Sequence, residues 1–202
     1  MNKPIIKKVD NNRDKYITYI ELMKRYQKAY NQGFYYECLF LLYSIIEDRT
    51  ESFFYHIGFT NATRIKVNSN KKIKTSIISI LEIDKENPRY NFSKLYYKLS
   101  YIRILYEWCN KDIINNEYEL ELNKVLKKYI LKEEFIDSIE YLNSEWENLR
   151  NEMTHALCKK DINDVNNYLL PLIDNGMNAT KIIMTAIKGI KRNHIRKKFR
   201  LQ

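Results

Sequence analysis

The sequence predicts an all-α fold, and three observations support that prediction. Proline and glycine, which end regular structure, occur only three and four times among 202 residues. The long segments between them consist of residues that are compatible with helices. Within those segments, apolar side chains recur at steps of three and four, which is the period of a helix with one buried face.

The length of the chain sets the expected domain organisation. A chain of 202 residues can bury one apolar core, and a second independent domain is not expected. We therefore predict a single helical domain over residues 1–202. Residues 1–33 would form an N-terminal helical extension, and residues 34–200 would form the core.

The first two predicted helices are separated by a glycine. We expect the first over residues 14–31, because Gly33 can adopt the positive φ found at helix ends. The second covers residues 34–57 and ends at Gly58. Apolar residues occupy nearly every side of it between positions 38 and 46, so this half should be buried all round.

The middle of the chain is predicted to contain a loop and three further helices. The polar stretch 60–70 has the composition of a loop, and residues 71–83 have the pattern of a short amphipathic helix. A tyrosine-rich helix is expected over residues 90–110, because the segment is too long and too poor in turn residues for a strand. The next helix follows the asparagine pair at 115–116 and ends near Leu131.

A long amphipathic helix is predicted from about Lys132. Its apolar stripe consists of Phe135, Ile139, Leu142, Trp146, Leu149, Met153 and Ala156. Steps of four and three alternate along it, which predicts one continuous helix with one face against the core. Asp161 is a candidate N-cap for a helix that ends near Ile173, and a last helix should begin near Met177.

The net charge of +10 favours an acidic partner, such as a nucleic acid or an anionic membrane surface. The chain is also rich in Lys, Asn, Ile and Tyr together, which an A/T-rich coding sequence produces regardless of function, so clustering matters more than the total. The C-terminal stretch contains seven cations: Lys188, Lys191, Arg192, Arg196, Lys197, Lys198 and Arg200. This basic cluster could bind an RNA backbone or an acidic protein.

The cysteines and the N-terminus predict a cytoplasmic location. Cys38, Cys109 and Cys158 are odd in number and far apart, so neither a disulfide framework nor a zinc site is expected. No apolar run of signal-peptide length follows the lysines near the N-terminus, and the longest apolar stretch is too short to span a membrane. We predict no membrane partner, no metal and no cofactor.

A short polar sequence near the end of the long predicted helix contains an Arg, an Asn and a His in close succession. It runs Glu147-Asn148-Leu149-Arg150-Asn151-Glu152-Met153-Thr154-His155. The R-N-x-x-x-H pattern in it resembles one form of the R-x(4–6)-H motif of the HEPN superfamily. The earlier segment YYECLFLLYSIIEDRTESFFYHIG is similar to the first core helix of these domains, and the resemblance covers residues 34–199.

The resemblance implies both a fold and an activity. The fold would be a HEPN-like helical bundle of about four to five core helices with extra short helices. The activity would be metal-independent cleavage of RNA at a site where two subunits bring their motifs together, so a homodimer is expected. Members of the superfamily include prokaryotic toxins, abortive-infection proteins and RNA-targeting CRISPR effectors, which points to toxin–antitoxin or antiphage defence. Some toxins of the family have a modified Tyr where this chain has Leu157, so that route of control is not expected here.

The spacing of Arg and His alone does not identify the motif, because Arg49 and His56 form a second match. The context favours Arg150 and His155, since an Asn follows Arg150 directly and the pair lies on a late helix, where the family has its motif. We expect His56 to be a packing or capping residue near the helix end. His194 should belong to the basic surface.

Helical geometry gives a second reason to choose the later pair. If the apolar stripe is buried, Ser144, Asn148, Asn151 and His155 form a polar line on the opposite side. Such a line is ordinarily a solvated face, but here an Asn one turn before a His can orient the imidazole. Arg150 projects about 140° from His155 on an ideal helix, so either its side chain bends around or a partner subunit completes the site.

The residue types then define the chemistry. RNA carries its own nucleophile, the 2′-OH, so a proton-transferring group and a fixed cation are sufficient. We assign the first role to His155, the second to Arg150 and the orientation of His155 to Asn151. The predicted substrate contacts are Arg49, Lys159 and Lys160.

Two further expectations concern side chains around the site. Glu47, Asp48 and Arg49 should form an exposed charged turn. The tyrosines, among them Tyr35, Tyr36, Tyr96, Tyr97 and Tyr101, should fill the core of the bundle rather than stack on bases.

The main alternative function is a non-catalytic helical module. Such a module would bind nucleic acid or a partner protein through the basic C-terminal stretch. A protein that lies on a membrane surface is a third possibility, and it rests on the same stretch alone. The three residues of the motif together favour the enzyme.

Overall fold

The computed structural model describes residues 12–61, 64, 66–83, 90–111, 113–146, 149 and 159–201. In these residues the regular elements are helices, and an isolated β-bridge joins Thr60 to Val67. The helices are α1 (Asn12–Asn31), α2 (Tyr35–Ile57), α3 (Lys71–Ile80), α4 (Leu95–Lys111), α5 (Glu117–Ile130), α6 (Glu133–Tyr141), α7 (Ile162–Lys191) and α8 (Ile195–Lys198). A π-helical turn, Leu142–Trp146, continues α6. The predicted all-α class is confirmed, and the finer HEPN-like assignment stays a prediction.

Helices α1 and α2 form an antiparallel hairpin. Gly33 between them has φ of 73°, and Gly58 ends α2 with φ of 92° and donates its amide hydrogen to the Tyr55 carbonyl. Both values lie in the left-handed region that glycine adopts without strain. The expectation that the first half of α2 is buried all round is wrong, since Phe40 is 39% exposed and Ser44 is also exposed. One side of α2 faces solvent at these positions.

Helices α2 and α7 form the centre of the bundle and run in the same direction. Tyr30 lies in the last turn of α1, just before the start of α2. It donates a 2.8 Å hydrogen bond to Asp174 in the first half of α7. Arg196, just after α7, donates to the carbonyl of Tyr55 near the end of α2. The start of α2 therefore lies beside the first half of α7, and the two C-terminal ends lie together.

Helix α7 is one continuous element. Asp161 is its N-cap, as predicted, and accepts hydrogen bonds from the amides of Asn163 and Asp164. The expectation of separate helices, one ending near Ile173 and another beginning near Met177, is wrong. Pro171 removes one backbone hydrogen bond inside α7. The buried apolar face continues on both sides of this exposed proline, and its burial offsets that loss.

The long predicted helix after Lys132 is interrupted by the π-helical turn. The stripe residues of the described part are nevertheless buried, as predicted: Phe135, Ile139, Leu142, Trp146 and Leu149. The prediction of a regular α-helix is wrong at this turn, because the alternating steps of four and three are equally compatible with an inserted π turn. Met153 and Ala156 lie outside the described residues.

Trp146 packs against Gly176 in α7. The indole is fully buried, and a Cβ atom on Gly176 would overlap its ring carbons. Glycine is therefore required at this position by the close approach of the ring. The contact fixes the end of the π-helical turn against α7.

Helices α3, α4 and α5 complete the bundle, with starts set by asparagines. Asn70 caps α3, and Asn116 caps α5 by accepting a hydrogen bond from the amide of Glu119. Glu119 in turn accepts from the amide of Asn115, so the two ends of this turn are satisfied reciprocally. Helix α4 starts five residues later than predicted, because the Asn91 side chain accepts the amide hydrogen of Ser93 and stabilises a turn there.

The prediction that tyrosines fill the core is confirmed for Tyr26, Tyr43 and Tyr118, but none of the five tyrosines named for it is fully buried. Tyr96 and Tyr97 are 42% and 38% exposed, and Tyr35, Tyr36 and Tyr101 are half-buried. The deeply buried aromatic residues are mostly phenylalanines: Phe53, Phe54, Phe59, Phe92 and Phe135. The rings of Tyr35, Tyr36 and Tyr101 border the core, where their hydroxyl groups can reach polar partners or water.

The N-terminal helix shares this core. Tyr26 and Ala29 of α1 belong to the same cluster of buried apolar residues as side chains of α2 and α7.

In the described part of the chain, no helix combines the length and the apolar character needed to cross a membrane.

Candidate functional site

The predicted catalytic residues Arg150, Asn151 and His155 lie outside the residues that the structure describes. Their two flanks are described. Leu149 is helical and only 2% exposed, so the chain is anchored in the core directly before Arg150. Lys159 and Lys160 are exposed and directly precede the N-cap of α7.

The π-helical turn ends four residues before Arg150. In a π turn the backbone hydrogen bonds join residues five positions apart, instead of the four of an α-helix. Such turns are frequent at functional sites. Asn143 in this turn is half-buried, and its side-chain oxygen has no hydrogen-bond partner among the described residues. A buried acceptor without a partner costs free energy, so this turn is held in place by the packing around it.

Arg49 belongs to a polar network between α1 and α2. The expectation that Glu47, Asp48 and Arg49 form an exposed turn is wrong, since all three are half-buried residues within α2. Arg49 Nε donates a 2.6 Å hydrogen bond to the hydroxyl of Tyr19, and that hydroxyl donates at 2.7 Å to Asp48. The guanidinium also lies 3.9 Å from the centre of the Tyr19 ring. Burial, followed by the charge of Asp48, raises the pKa of Tyr19, so its hydroxyl remains a donor at neutral pH.

A buried lysine of α4 forms ion pairs with two carboxylates of α2. The side chain of Lys98 in α4 is 0% exposed, and its Nζ is 3.4 Å from Glu51 and 3.8 Å from Glu47. The sequence analysis missed this group. A signal was present, because Lys98 falls in the buried stripe of α4, three residues after Leu95 and four before Ile102.

His56 lies in the last turn of α2 and is surrounded by cations. Burial is the largest cause that lowers the pKa of His56 to about 4, followed by the charges of Lys191, Arg64, Arg196 and Arg49. The imidazole is therefore neutral at physiological pH. The expectation that His56 is partly buried near the helix end is confirmed, while its cationic surroundings were not predicted.

Arg196 connects the C-terminal residues to the end of α2. Its guanidinium donates to the carbonyls of Tyr55 at 3.1 Å, Thr60 at 2.8 Å and Leu201 at 3.3 Å. The Arg196 guanidinium also lies 4.0 Å from the centre of the Tyr55 ring. A cation at the carbonyl end of a helix is electrostatically favourable.

The rest of the basic C-terminal stretch is more exposed. Lys188, Arg192, His194 and Lys197 are exposed, as expected for a basic surface. Lys198 is also exposed but forms a 2.8 Å ion pair with Glu121, so part of its charge is compensated.

The predicted substrate contacts do not converge within the chain. Lys160 precedes the first residue of α7, whereas Arg49 and Lys191 both lie close enough to His56 to affect its pKa. The 30 residues of α7 span about 45 Å at the usual helical rise. Arg49 is therefore near one end of α7, and Lys159 and Lys160 are near the other.

Neither a surface cavity at the start of α3 nor the cysteines add a reactive group. The cavity, about 880 Å³, is bordered by Asn70, Tyr118 and Phe199 and, among the described residues, by none of the predicted site residues. Burial raises the pKa of Cys38 to about 12, so its thiol is unreactive. Cys109 is a buried thiol, and Cys158 lies outside the described residues. Among the described residues, no group of three or more His, Cys, Asp or Glu side chains is arranged to hold a metal ion.

Comparisons with known proteins leave the chemistry to be inferred from the chain itself. No family model matches the chain, and neither a curated protein nor a solved structure matches it significantly.

Proposed function

We propose that the protein is an endoribonuclease of the HEPN type that cleaves RNA with Arg150, Asn151 and His155 and without a metal ion. The observation that carries the proposal is the sequence R-N-x-x-x-H directly after Leu149, the last buried residue of the described stripe. The all-helical fold is compatible with a HEPN-like bundle. The nearby π-helical turn adds support, because such turns are frequent at functional sites.

The proposed reaction needs three groups. His155 accepts the proton of the 2′-OH, and the 2′-oxygen then attacks the adjacent phosphorus. Arg150 stabilises the negative charge that develops on the phosphate oxygens, since its guanidinium donates to two of them at once. The bond to the 5′-oxygen breaks, that oxygen takes up a proton, and the products are a 2′,3′-cyclic phosphate and a 5′-hydroxyl. Asn151 orients the imidazole.

The biological setting that fits this activity is toxin–antitoxin or antiphage defence in the cytoplasm. A homodimer would place the motifs of two subunits together, and an antitoxin protein is a possible further partner. Arg49, Lys159 and Lys160 would contact the RNA away from the cleaved bond. We propose no cofactor and no membrane partner.

The activity is tested with the purified chain and a labelled single-stranded RNA in the presence of EDTA. We expect cleavage to a cyclic phosphate product, and we expect DNA of the same sequence to resist because it lacks the 2′-OH. His155→Ala should abolish cleavage while leaving RNA binding nearly unchanged. His194→Ala is the matched control, because it removes an exposed histidine of the basic surface. Cleavage by His155→Ala at the rate of the control would exclude His155 from the mechanism.

The composite site is tested by mixing two inactive variants. If Arg150 of one subunit and His155 of the other act on one phosphate, subunits with Arg150→Ala and with His155→Ala form heterodimers with one intact site. Random exchange would restore about a quarter of the wild-type rate, because half the dimers are mixed and each has one of two sites. No recovery, together with a monomer in sedimentation at micromolar concentration, would contradict the dimer-interface site.

The second candidate function is a non-catalytic module that binds nucleic acid or a partner protein. It is favoured by the exposed cations Lys188, Lys191 and Arg192 at the end of α7. The cleavage assay separates the two candidates. Tight RNA binding with no cleavage by the wild-type chain would favour the module.

A further inference from the structure

A group of cations surrounds His56 where four parts of the chain meet. We call it the His56 cluster, and it consists of His56, Arg49, Arg64, Lys191 and Arg196. Two members belong to α2, and the others belong to the loop after α2, the last residue of α7 and the start of α8. All four cations lie close enough to the imidazole to lower its pKa, although burial has the larger effect.

Direct contacts tie the guanidinium groups of the cluster together. Arg49 and Arg64 both bind the carboxylate of Asp48, with nitrogen–oxygen distances of 3.3 Å and 3.2 Å. Arg64 and Arg196 both lie over the ring of Tyr55, at 5.6 Å and 4.0 Å from its centre. The Tyr55 ring is itself 5.3 Å from the imidazole of His56. The three guanidinium groups and the imidazole therefore form one connected group, and Lys191 belongs to it through the effect of its charge on His56.

Cations outnumber the carboxylates that contact them among the described members of the cluster. The carboxylate of Asp48 pairs with two cations, Arg49 and Arg64. The other two carboxylates in this part of α2, Glu47 and Glu51, bind Lys98. Like charges at such short separations repel each other, and partial burial strengthens the repulsion. A bound anion would remove this cost.

The cluster is also accessible. The side chains of Arg49 and Arg64 are 25% and 20% exposed, His56 is half-buried and Lys191 is exposed. Among the described residues, no carboxylate lies within ion-pair distance of Lys191. Guanidinium groups suit phosphate in particular, because their fork of donors matches two of its oxygens.

We propose that the His56 cluster binds backbone phosphates of the RNA strand, as a site made of residues other than the Arg150–His155 motif. The choice of RNA as the source of the phosphate rests on the proposed function. The phosphate chemistry rests on the cluster itself.

The test uses the full chain with His155→Ala, so that RNA is bound but not cut, and a fluorescent single-stranded oligouridylate. Arg64→Gln and Lys191→Gln each remove one cation. Each should weaken binding several-fold at low salt and reduce the slope of log K against log salt by about 0.7, the value for one phosphate contact on a single strand. Lys181→Gln is the matched control, because it removes one exposed cation from the same helix, α7, and should leave both quantities unchanged.

A second readout reports on the place of binding. Saturating RNA should raise the pKa of His56, measured from its imidazole proton resonance, because a nearby phosphate stabilises the imidazolium. An oligodeoxyuridylate should produce the same rise, since the cluster reads phosphate rather than the 2′-OH. The assignment to a nucleic-acid strand would be overturned if inorganic phosphate raised the pKa of His56 and neither oligonucleotide did.

The outcomes separate this proposal from the nuclease. Unchanged affinity and salt slope for Lys191→Gln, with an unchanged pKa of His56 on RNA binding, would overturn the phosphate site even if the wild-type chain cleaves RNA. Weakened binding by both variants would support the site even if the wild-type chain never cleaves RNA. Should Arg64→Gln fail to fold, the exposed Lys191→Gln still decides the question.

Discussion

Lowering the pH from 7 to 5 is expected to destabilise the folded chain through His56. In the folded state the pKa of this imidazole is about 4, against an ordinary value of 6.5, because burial and then the nearby cations disfavour its charged form. As the pH falls, the unfolded chain takes up the proton first, near its pKa of 6.5. The folded chain follows only near pH 4. The stabilisation is therefore present above pH 6.5 and is lost as the pH falls from there towards 4.

The size of the effect follows from these two values. Between pH 7 and pH 5 the difference in proton binding lowers the free energy of unfolding by about 2 kcal/mol. Solvent screening of the exposed part of the ring reduces this, so we expect a loss of about 1–2 kcal/mol. Most carboxylates remain ionised in this window, so the contribution of His56 can be isolated by comparing variants.

The measurement is urea unfolding at both pH values, followed by circular dichroism. His56→Asn should be less sensitive to pH than the wild-type chain by about 1–2 kcal/mol. His194→Asn is the control, because it removes an exposed imidazole and asparagine tolerates the positive φ of 51° at that position. Any effect of His155 is the same in all three chains and cancels. An equal loss of stability in the wild-type chain and in His56→Asn would refute the reasoning.

Two other predictions concern packing and buried charge. Gly176→Ala should lower the stability by about 1–3 kcal/mol in urea unfolding, because its methyl group would overlap the fully buried ring of Trp146. Gly189→Ala, whose methyl group would meet a half-exposed tyrosine ring that can move, should change it by less than about 1 kcal/mol, since the gain in helix propensity opposes the crowding. Lys98→Met should be nearly neutral by the same measurement, because its carboxylate partners are exposed enough to be hydrated. Glu51→Gln should cost about 2 kcal/mol, because it leaves the buried ammonium with only a longer ion pair, and equal effects of these two substitutions would contradict this account.

The helices could be predicted from the sequence because their signals are local. The end of α2 at Gly58 and the N-cap of α7 at Asp161 depend on the residue at that position and its immediate neighbours, and both predictions are confirmed. The continuity of α7 through Pro171 could not be predicted in this way. It depends on tertiary burial on both sides of the proline, which outweighs the lost hydrogen bond.

The π-helical turn shows what helical periodicity in the sequence cannot predict. Trp146 and Leu149 fall in the predicted stripe and are buried, as expected. The π turn ends at Trp146, whose indole packs closely against Gly176 in another helix. A helical period read from the sequence contains no information about that fit.

Some residues of the candidate site could be found from local sequence, and others are brought together only by the tertiary fold. The motif at Arg150 and His155 is contiguous, so it could be found in the sequence and stays a prediction. The His56 cluster joins side chains of α2 and the following loop to cations more than a hundred residues later. No spacing rule connects them, and only the parallel packing of α2 and α7 brings them together. Lys98 is intermediate, since its position in a buried stripe could have been noticed.

The length of α7 separates two groups of cations that would contact RNA under the proposed function. Lys160 and Lys191 stand at opposite ends of a helix that is about 45 Å long. A short oligonucleotide can touch only one of these ends, whereas a longer strand can touch both and gain the affinity of two linked attachments. Within one subunit, the affinity for RNA should therefore rise in a step when the strand becomes long enough to cover that span.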